Sequence, residues 1–388
     1  MKKAVKKLLR SYCPNIPALR KKLNAAKLRE INQYTMQSED VLAGELSIKK
    51  QEQIVKKYSE QWPGYTKMLE EKLNEYISRC EAVRVRTDLR DLRVQVLFAC
   101  FAYGFLPDEF FAYELEHKSP EDRKSYISNR DRDNYVYRLN DIIDIDIFLD
   151  KYKTYVKFQK YFKRDAISVE KQSDYEGFCD FVKRHPIFVQ KNVGLSKGDS
   201  VALVDSEHCG KTVRQLFEEM IACGKYIVEE KVEQSKCMSQ LNPSSVNTIR
   251  CMTFRTKAGI EIGPCFLKVG QGNSFVDNGG KGGILIGIDN TNGILDTVGY
   301  DEFLMEYTDH PDTRTEFVGY QLPEWFQMRT LAKEMSAQMP GVRYIGWDLA
   351  HTENGWVVIE GNGGGQFIGP QIVWKRGFKR DIDCLIKL

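Results

Sequence analysis

The sequence predicts an α+β chain, helical through its first third and strand-rich beyond it, on three observations. Apolar residues recur at helical spacing from Ile54 to Ile77 and from Leu89 to Phe105. After Phe162 the texture changes to short β-type runs: P-I-F-V-Q-K, S-V-A-L-V, K-Y-I-V-E-E and T-I-R-C-M-T-F. Tyr344 to Asn362, Y-I-G-W-D-L-A-H-T-E-N-G-W-V-V-I-E-G-N, sets two apolar arms on either side of T-E-N-G and reads as a β-hairpin. A chain of 388 residues accommodates two or three domains. The expected division is a helical region at 1–145, a smaller α+β unit at 146–235 and a larger one at 236–388.

The elements follow in order. Residues 2–29 interleave Lys and Arg with Val5, Leu8, Leu9, Leu19, Leu23 and Leu28, the pattern of a basic amphipathic helix pair. Such a pair can lie against anionic lipid, or it can be a solvated face packed on its own domain. Turn signals at Trp62-Pro63-Gly64 and Leu106-Pro107-Asp108 divide the helical third, and Asp150 to Phe162 forms another helix. One helix, Thr212 to Cys223, fits among the strands. Pro323, at a first helical turn, leads Trp325, Met328, Leu331, Ala332 and Met335 along one face until Pro340-Gly341 stops the helix.

Composition narrows the function. A net charge of +3 does not indicate nucleic-acid binding by bulk electrostatics. Ten cysteines without a C-x-x-C pair fit reduced thiols in a cytosolic protein rather than a disulfide framework or a thiolate metal site. No apolar run reaches membrane-spanning length, and lysines interrupt the opening residues before a secretory core can form. The expected location is the cytoplasm, with the inner face of the membrane as the alternative that the basic N-terminus allows.

The hairpin carries the most chemistry. A three-residue loop ending in a left-handed Gly355 pairs Thr352 with Trp356, Ala350 with Val358 and Asp348 with Glu360, whose Cβ atoms then lie roughly 5 Å apart. Two bare carboxylates so placed repel, and a divalent cation relieves them. Asn362, next along the same face, adds an oxygen of the kind magnesium prefers. A two-residue turn would instead separate the acids, and an edge hairpin with solvated acids is the other reading.

Lys191 ends one strand run and precedes N-V-G-L-S-K-G-D-S, a loop able to fold over phosphates, with Ser196 among its donors. A hairpin loop with no ligand fits that spacing as well. Glu229 and Glu230 end K-Y-I-V-E-E, where an adenine can take backbone hydrogen bonds beside an acid for the ribose, and Val232 follows. Asn247 and Arg250 begin a strand and Lys268 closes the next one. The glycine-rich run from Gly270 to Gly283, containing Asp277 and Asn278, reads as a flexible substrate loop because no βαβ unit surrounds it.

Taken in order, Lys191 with its loop, the E-E pair, S-V-N-T-I-R (245–250), H-P-D-T, G-W-D-L-A and I-E-G-N resemble the ATP-grasp fold, and more narrowly the sugar-transfer-associated ATP-grasp family, from about Asp150 onward. The resemblance implies two α+β subdomains sandwiching ATP behind the helical region. It makes Asp348, Glu360 and Asn362 magnesium ligands, Lys191 a phosphate lysine, and Glu229, Glu230 and Val232 the adenosine contacts. Lys151 or Lys153 becomes a second phosphate lysine. Arg250 would contact the γ-phosphate and share charge stabilisation with Lys268. Asn247, Asp277 and Asn278 fall on the substrate side.

The activity so implied is ATP- and Mg2+-dependent ligation of a small-molecule carboxylate to an amine or sugar-linked acceptor through an acyl phosphate, in surface polysaccharide synthesis. A kinase acting on a hydroxyl, and a non-catalytic nucleotide- or glycan-binding module, are the alternatives.

Overall fold

The computed structural model describes residues 17–41, 47–193, 201–277 and 279–387. Helix α1 (Pro17–Ile31) has no buried residue. Polar side chains fasten it instead: Asn24 Nδ2 donates to the carbonyls of Tyr137 (2.9 Å) and Asn140 (2.6 Å), and Arg20 pairs with Asp144 at 2.9 Å. The expected amphipathic pair is therefore one described helix without a buried stripe, and residues 1–16 lie outside the described part.

Trp62 leaves helical geometry (φ −127°, ψ 57°) and Pro63 restarts the helix at a position where its missing N–H costs nothing. The long periodic run thus divides into α2 (Ile48–Gln61) and α3 (Pro63–Arg79). Helix α4 (Leu89–Tyr103) is buried along most of its length and stops at Gly104, whose φ of +79° suits glycine. Helix α5 (Asn129–Leu139) follows, opened by a Ser128/Asp131 capping box. In α6 (Lys151–Phe162) the Asp150 carboxylate accepts from the amides of Tyr152 and Lys153, both at 3.1 Å.

Two antiparallel sheets follow. The first, ordered β1-β4-β2-β3, contains β1 (Ala166–Val169), β2 (Ile187–Asn192), β3 (Val201–Asp205) and β4 (Tyr226–Glu230). Helices α7 (Tyr175–Arg184) and α8 (Val213–Cys223) cover it through Phe178, Phe181, Phe217 and Met220. The second, ordered β11-β10-β5-β6-β7-β8-β9, contains β5 (Thr248–Arg255), β6 (Ile260–Val269), β7 (Ile284–Ile288), β8 (Leu295–Tyr300), β9 (Glu306–Tyr307), β10 (Tyr344–Thr352) and β11 (Gly355–Asn362). Helix α9 (Trp325–Ala337) packs on one face against Ile249, Cys251, Leu267 and Ile345.

The opposite face is covered by the helical third. Phe266, Leu285 and Tyr300 join the core of Phe98 and Phe101, while Met252, Phe254 and Tyr344 meet Ile127, Val136 and Phe367. Two closing helices, α10 (Ile368–Val373) and α11 (Lys379–Lys387), complete this layer. The buried Gln371 accepts from the Ile127 amide at 2.7 Å and donates to the Ile127 carbonyl at 3.1 Å. Tyr135 donates to Asp383 at 2.7 Å. Among the described residues no helix is long and apolar enough to cross a membrane, and the described cysteines are all free.

Candidate functional site

The hairpin reaches the expected pairing by an unexpected route. Thr352 pairs with Gly355 across a two-residue turn and Leu349 pairs with Val358, a register that on its own would leave Glu360 one place out. A bulge at Ile359 absorbs one residue, and Asp348 then stands directly opposite Glu360, with Gly346 opposite Asn362. The turn is thus shorter than the three-residue loop expected. Gly355 is left-handed at φ +85°, as that loop required.

On its other side Asp348 faces Arg250 of β5, so three strands bring a carboxylate, a carboxylate and a guanidinium into one row. Arg250 grips Asp348 with both prongs, Nε to Oδ1 at 2.7 Å and Nη2 to Oδ2 at 2.9 Å. Lys268 Nζ lies 3.2 Å from Asp348 Oδ1 and 3.8 Å from Asp277 Oδ1. Burial alone would raise the Asp348 pKa, but Arg250 and Lys268 outweigh it and hold the group at about 2. Asp277 goes the other way: burial raises it despite Lys268. Its carboxylate also accepts from the Thr248 hydroxyl.

Glu360 is the open member of the row, with its side chain 40% exposed and Lys151 Nζ 4.0 Å away. Both line a cleft between the two sheets, together with Lys191, Glu229, Ile359 and the rings of Phe148 and Phe162. Lys153 is exposed on α6 and is absent from that lining, whereas Lys151 is part of it. Asn362 Nδ2 approaches Asp348 Oδ2 at 3.5 Å.

Several expected contacts are placed differently. Glu229 and Glu230 are neighbours on β4, so they project to opposite faces. Glu229 is buried and ion-paired to Lys191 (2.9 Å) and Arg164. Although burial opposes ionisation, Arg164 and Lys191 hold its pKa at about 2. Glu230 accepts from the Asp165 amide at 3.0 Å, away from the cleft. Val232, half-buried beyond the end of β4, does not line the cleft either.

Asn247 is wholly buried, donating to the carbonyls of Met238 and Asn242 (2.9 Å each) and accepting from Ser245 at 2.8 Å. It cannot reach a substrate. Thr248, one residue on, shares the Arg250 face. Ser196 and Asn278 lie outside the described residues.

Residues to which the sequence assigned no role complete the site. Arg164 ties Glu229 to the β11 backbone, donating from Nη1 to the Val358 carbonyl at 2.5 Å. His310, buried, accepts the Asp312 and Thr313 amides at Nδ1 (3.2 and 3.3 Å), so Nε2 carries the proton and meets the Gly270 carbonyl at 2.8 Å. It anchors the loop that bears Asp277. The glycines after Glu360 serve packing: a Cβ on Gly363 would sit 2.2 Å from Ile145 Cγ1, and one on Gly364 2.4 Å from Val136 Cγ2.

The two carboxylates and the amide are oxygen donors of the kind magnesium takes, with both oxygens of Asp348 engaged by Arg250 and Lys268 in this structure. Among the described residues no group of three or more His, Cys, Asp and Glu side chains is gathered as a ready metal site. A hard cation would find the Asp348 and Glu360 carboxylates and the Asn362 amide, and would need further oxygens such as those of a triphosphate.

Solved structures similar to this chain include the D-alanine–D-alanine ligase of Coxiella burnetii, at 12% identity over 64% of this chain and 59% of that one, with a TM-score of 0.38. The ATP-grasp ligase PsnB, complexed with a phosphomimetic variant of its minimal precursor, Mg and ADP, matches at 10% identity over 61% and 56%, with a TM-score of 0.37. An ADP complex of N5-carboxyaminoimidazole ribonucleotide synthetase matches at 12% identity over 57% and 46%, with a TM-score of 0.36. The chain thus spans 46% to 59% of the length of these proteins. No curated protein gives a significant match. Residues 130–384 match the family described as sugar-transfer associated ATP-grasp, a span that opens at α5, earlier than the Asp150 start expected. With that match covering most of its 388 residues, the chain belongs to the sugar-transfer associated ATP-grasp family.

Proposed function

We propose that the chain is an ATP- and magnesium-dependent carboxylate–amine ligase that joins an amino acid or similar group to a sugar or glycan precursor. The observation that carries this reading is the row Glu360, Asp348, Arg250 across three strands, with Lys268 beside it and Lys151 and Lys191 on the cleft wall. Acids for a cation and cations for phosphate oxygens lie along the cleft and on the strands beside it.

Mg-ATP, when bound, supplies a phosphoryl group that activates a substrate carboxylate as an acyl phosphate, from which an amine displaces phosphate to form an amide. Asp348, Glu360 and Asn362 would hold the cation. Lys151 and Lys191 would neutralise phosphate charge from the cleft walls. Arg250 and Lys268, spent on Asp348 in this structure, would offer positive charge to the equatorial oxygens of a transferring phosphoryl group. Asp277 and Thr248 would orient the substrate from the far side of Lys268. The sugar link follows the family description, and a place in surface polysaccharide synthesis is proposed along with it; the basic N-terminus would bring the enzyme to the inner face of the membrane.

The test incubates the protein with ATP and magnesium against a matrix of amino acids and uronic-acid sugars, following ADP and inorganic phosphate. Release of both, dependent on an acid and an amine together, is expected. ADP without free phosphate in the presence of a hydroxyl acceptor alone would replace the ligase with a kinase. Nucleotide binding without turnover across all acceptors would reduce the chain to a binding module.

A further inference from the structure

Arg164 lies between the end of α6 and the start of β1, and it is absent from the lining of the cleft. Its guanidinium nonetheless touches both walls. Nε donates to Glu229 Oε2 at 2.9 Å on the four-stranded sheet, and Nη1 donates to the Val358 carbonyl at 2.5 Å on the seven-stranded one. Phe162 packs beneath it, with the guanidinium carbon 4.7 Å from the ring centroid. Its side chain is 4% exposed, so these bonds form away from bulk water.

Each contact leads to a cleft residue. Glu229 Oε1 holds Lys191 Nζ at 2.9 Å. Val358 immediately precedes the bulged Ile359, which sets Glu360 opposite Asp348. One rigid fork therefore spaces the lysine of one sheet from the carboxylate of the other.

The charges point the same way. Lys191 and Glu229 alone would form a neutral pair with little to offer a phosphate. With Arg164 on the second carboxylate oxygen, the buried triad carries one positive charge in excess, and it reaches the cleft through Lys191 and Glu229.

We infer that Arg164 is a positioning residue for nucleotide binding, which holds the two cleft walls in register and leaves the Lys191 charge uncompensated for a phosphate. This rests on the nucleotide-cleft reading above. Mg-ADP binding is measured by calorimetry for wild type, Arg164→Lys, Arg164→Met, Glu229→Gln and the double variant Arg164→Met/Glu229→Gln, with a melting curve for each. Arg164→Met should weaken Mg-ADP about 10- to 100-fold. Arg164→Lys, which keeps the charge but has no fork to bridge both walls, should fall between it and wild type. The double variant should recover part of the loss, because removing the unbalanced carboxylate frees Lys191 again.

A merely structural role predicts a double variant no tighter than Arg164→Met, and that result overturns the inference. Equal affinity of Arg164→Met and wild type also overturns it, while the cleft reading stands. Wild type failing to bind Mg-ADP removes the cleft reading and this inference together. If Arg164→Met does not fold, Arg164→Lys decides: wild-type affinity in it refutes the bridging role.

Discussion

At the scale of single residues, burial separates changes that reach chemistry from changes that reach stability. Asp348 is the buried partner of a two-pronged Arg250 and of Lys268, so Asp348→Asn strands buried positive charge. It should cost about 3–5 kcal/mol of folding stability as well as activity. Glu360 is far more open, and Glu360→Gln should leave the melting temperature near wild type while lowering ADP release by about 100-fold or more. Parallel thermal melts and coupled ADP assays separate the two. Asn247→Ala should lose about 1–3 kcal/mol in chemical denaturation with KM unchanged, since its amide holds the Met238 and Asn242 carbonyls rather than a ligand. A rise in KM with unchanged stability would return Asn247 to the substrate side.

At the scale of elements, the terminal hairpin shows how a site can be legible while its construction is not. The residues G-W-D and E-G-N point to the Asp348–Glu360 pair, because acids on two apolar arms have few reasons to face each other. The bulge at Ile359 is not written in T-E-N-G; it arises where the strand must meet Asp348, and local turn chemistry says nothing about it. Of the acids Glu229 and Glu230 only one can face the cleft, since consecutive strand residues project to opposite faces. The same alternation favours Thr248 over Asn247 as the partner of Arg250. Arg164 gave no motif signal, because its partners are 65 and 194 residues away in sequence. The glycine at the turn of this hairpin and the one just beyond its second strand should respond differently to Ala. At Gly355, φ +85° predicts a loss of about 1–2 kcal/mol in urea titration. At Gly363 the clash with Ile145 adds a displaced helical segment, so Gly363→Ala should be the worse of the two. Equal losses would mean that the helical layer yields easily.

At the scale of the whole molecule, the helical third is part of the core of the seven-stranded sheet rather than an appendage. Phe266, Leu285 and Tyr300 share their buried cluster with Phe98 and Phe101. A chain beginning at residue 146 should therefore fail to give a cooperative calorimetric transition; a sharp one would show that the two-sheet part folds alone. Stability should also peak near the ordinary carboxylate range and fall on both sides of it. Asp348 and Glu229, with pKa values of about 2, contribute on the order of 2–3 kcal/mol each above the ordinary carboxylate range near 4, and lose it as pH drops toward 2. Glu109 has the opposite sign: burial lifts it to about 8, outweighing the amides of Leu106 and Asn129 that it accepts. Its favourable contribution is complete below the ordinary range and is lost as pH rises through 8. Denaturant titration across pH should show both limbs, and Glu109→Gln should flatten the alkaline one.

The clasp between Gln371 and both backbone groups of Ile127 joins positions 244 residues apart. During vectorial synthesis the earlier half of that clasp leaves the ribosome long before the later half exists, so a nascent chain carries an uncovered apolar layer through most of its translation. Rapid final closure, or chaperone shielding until it occurs, becomes a condition for reaching the native state.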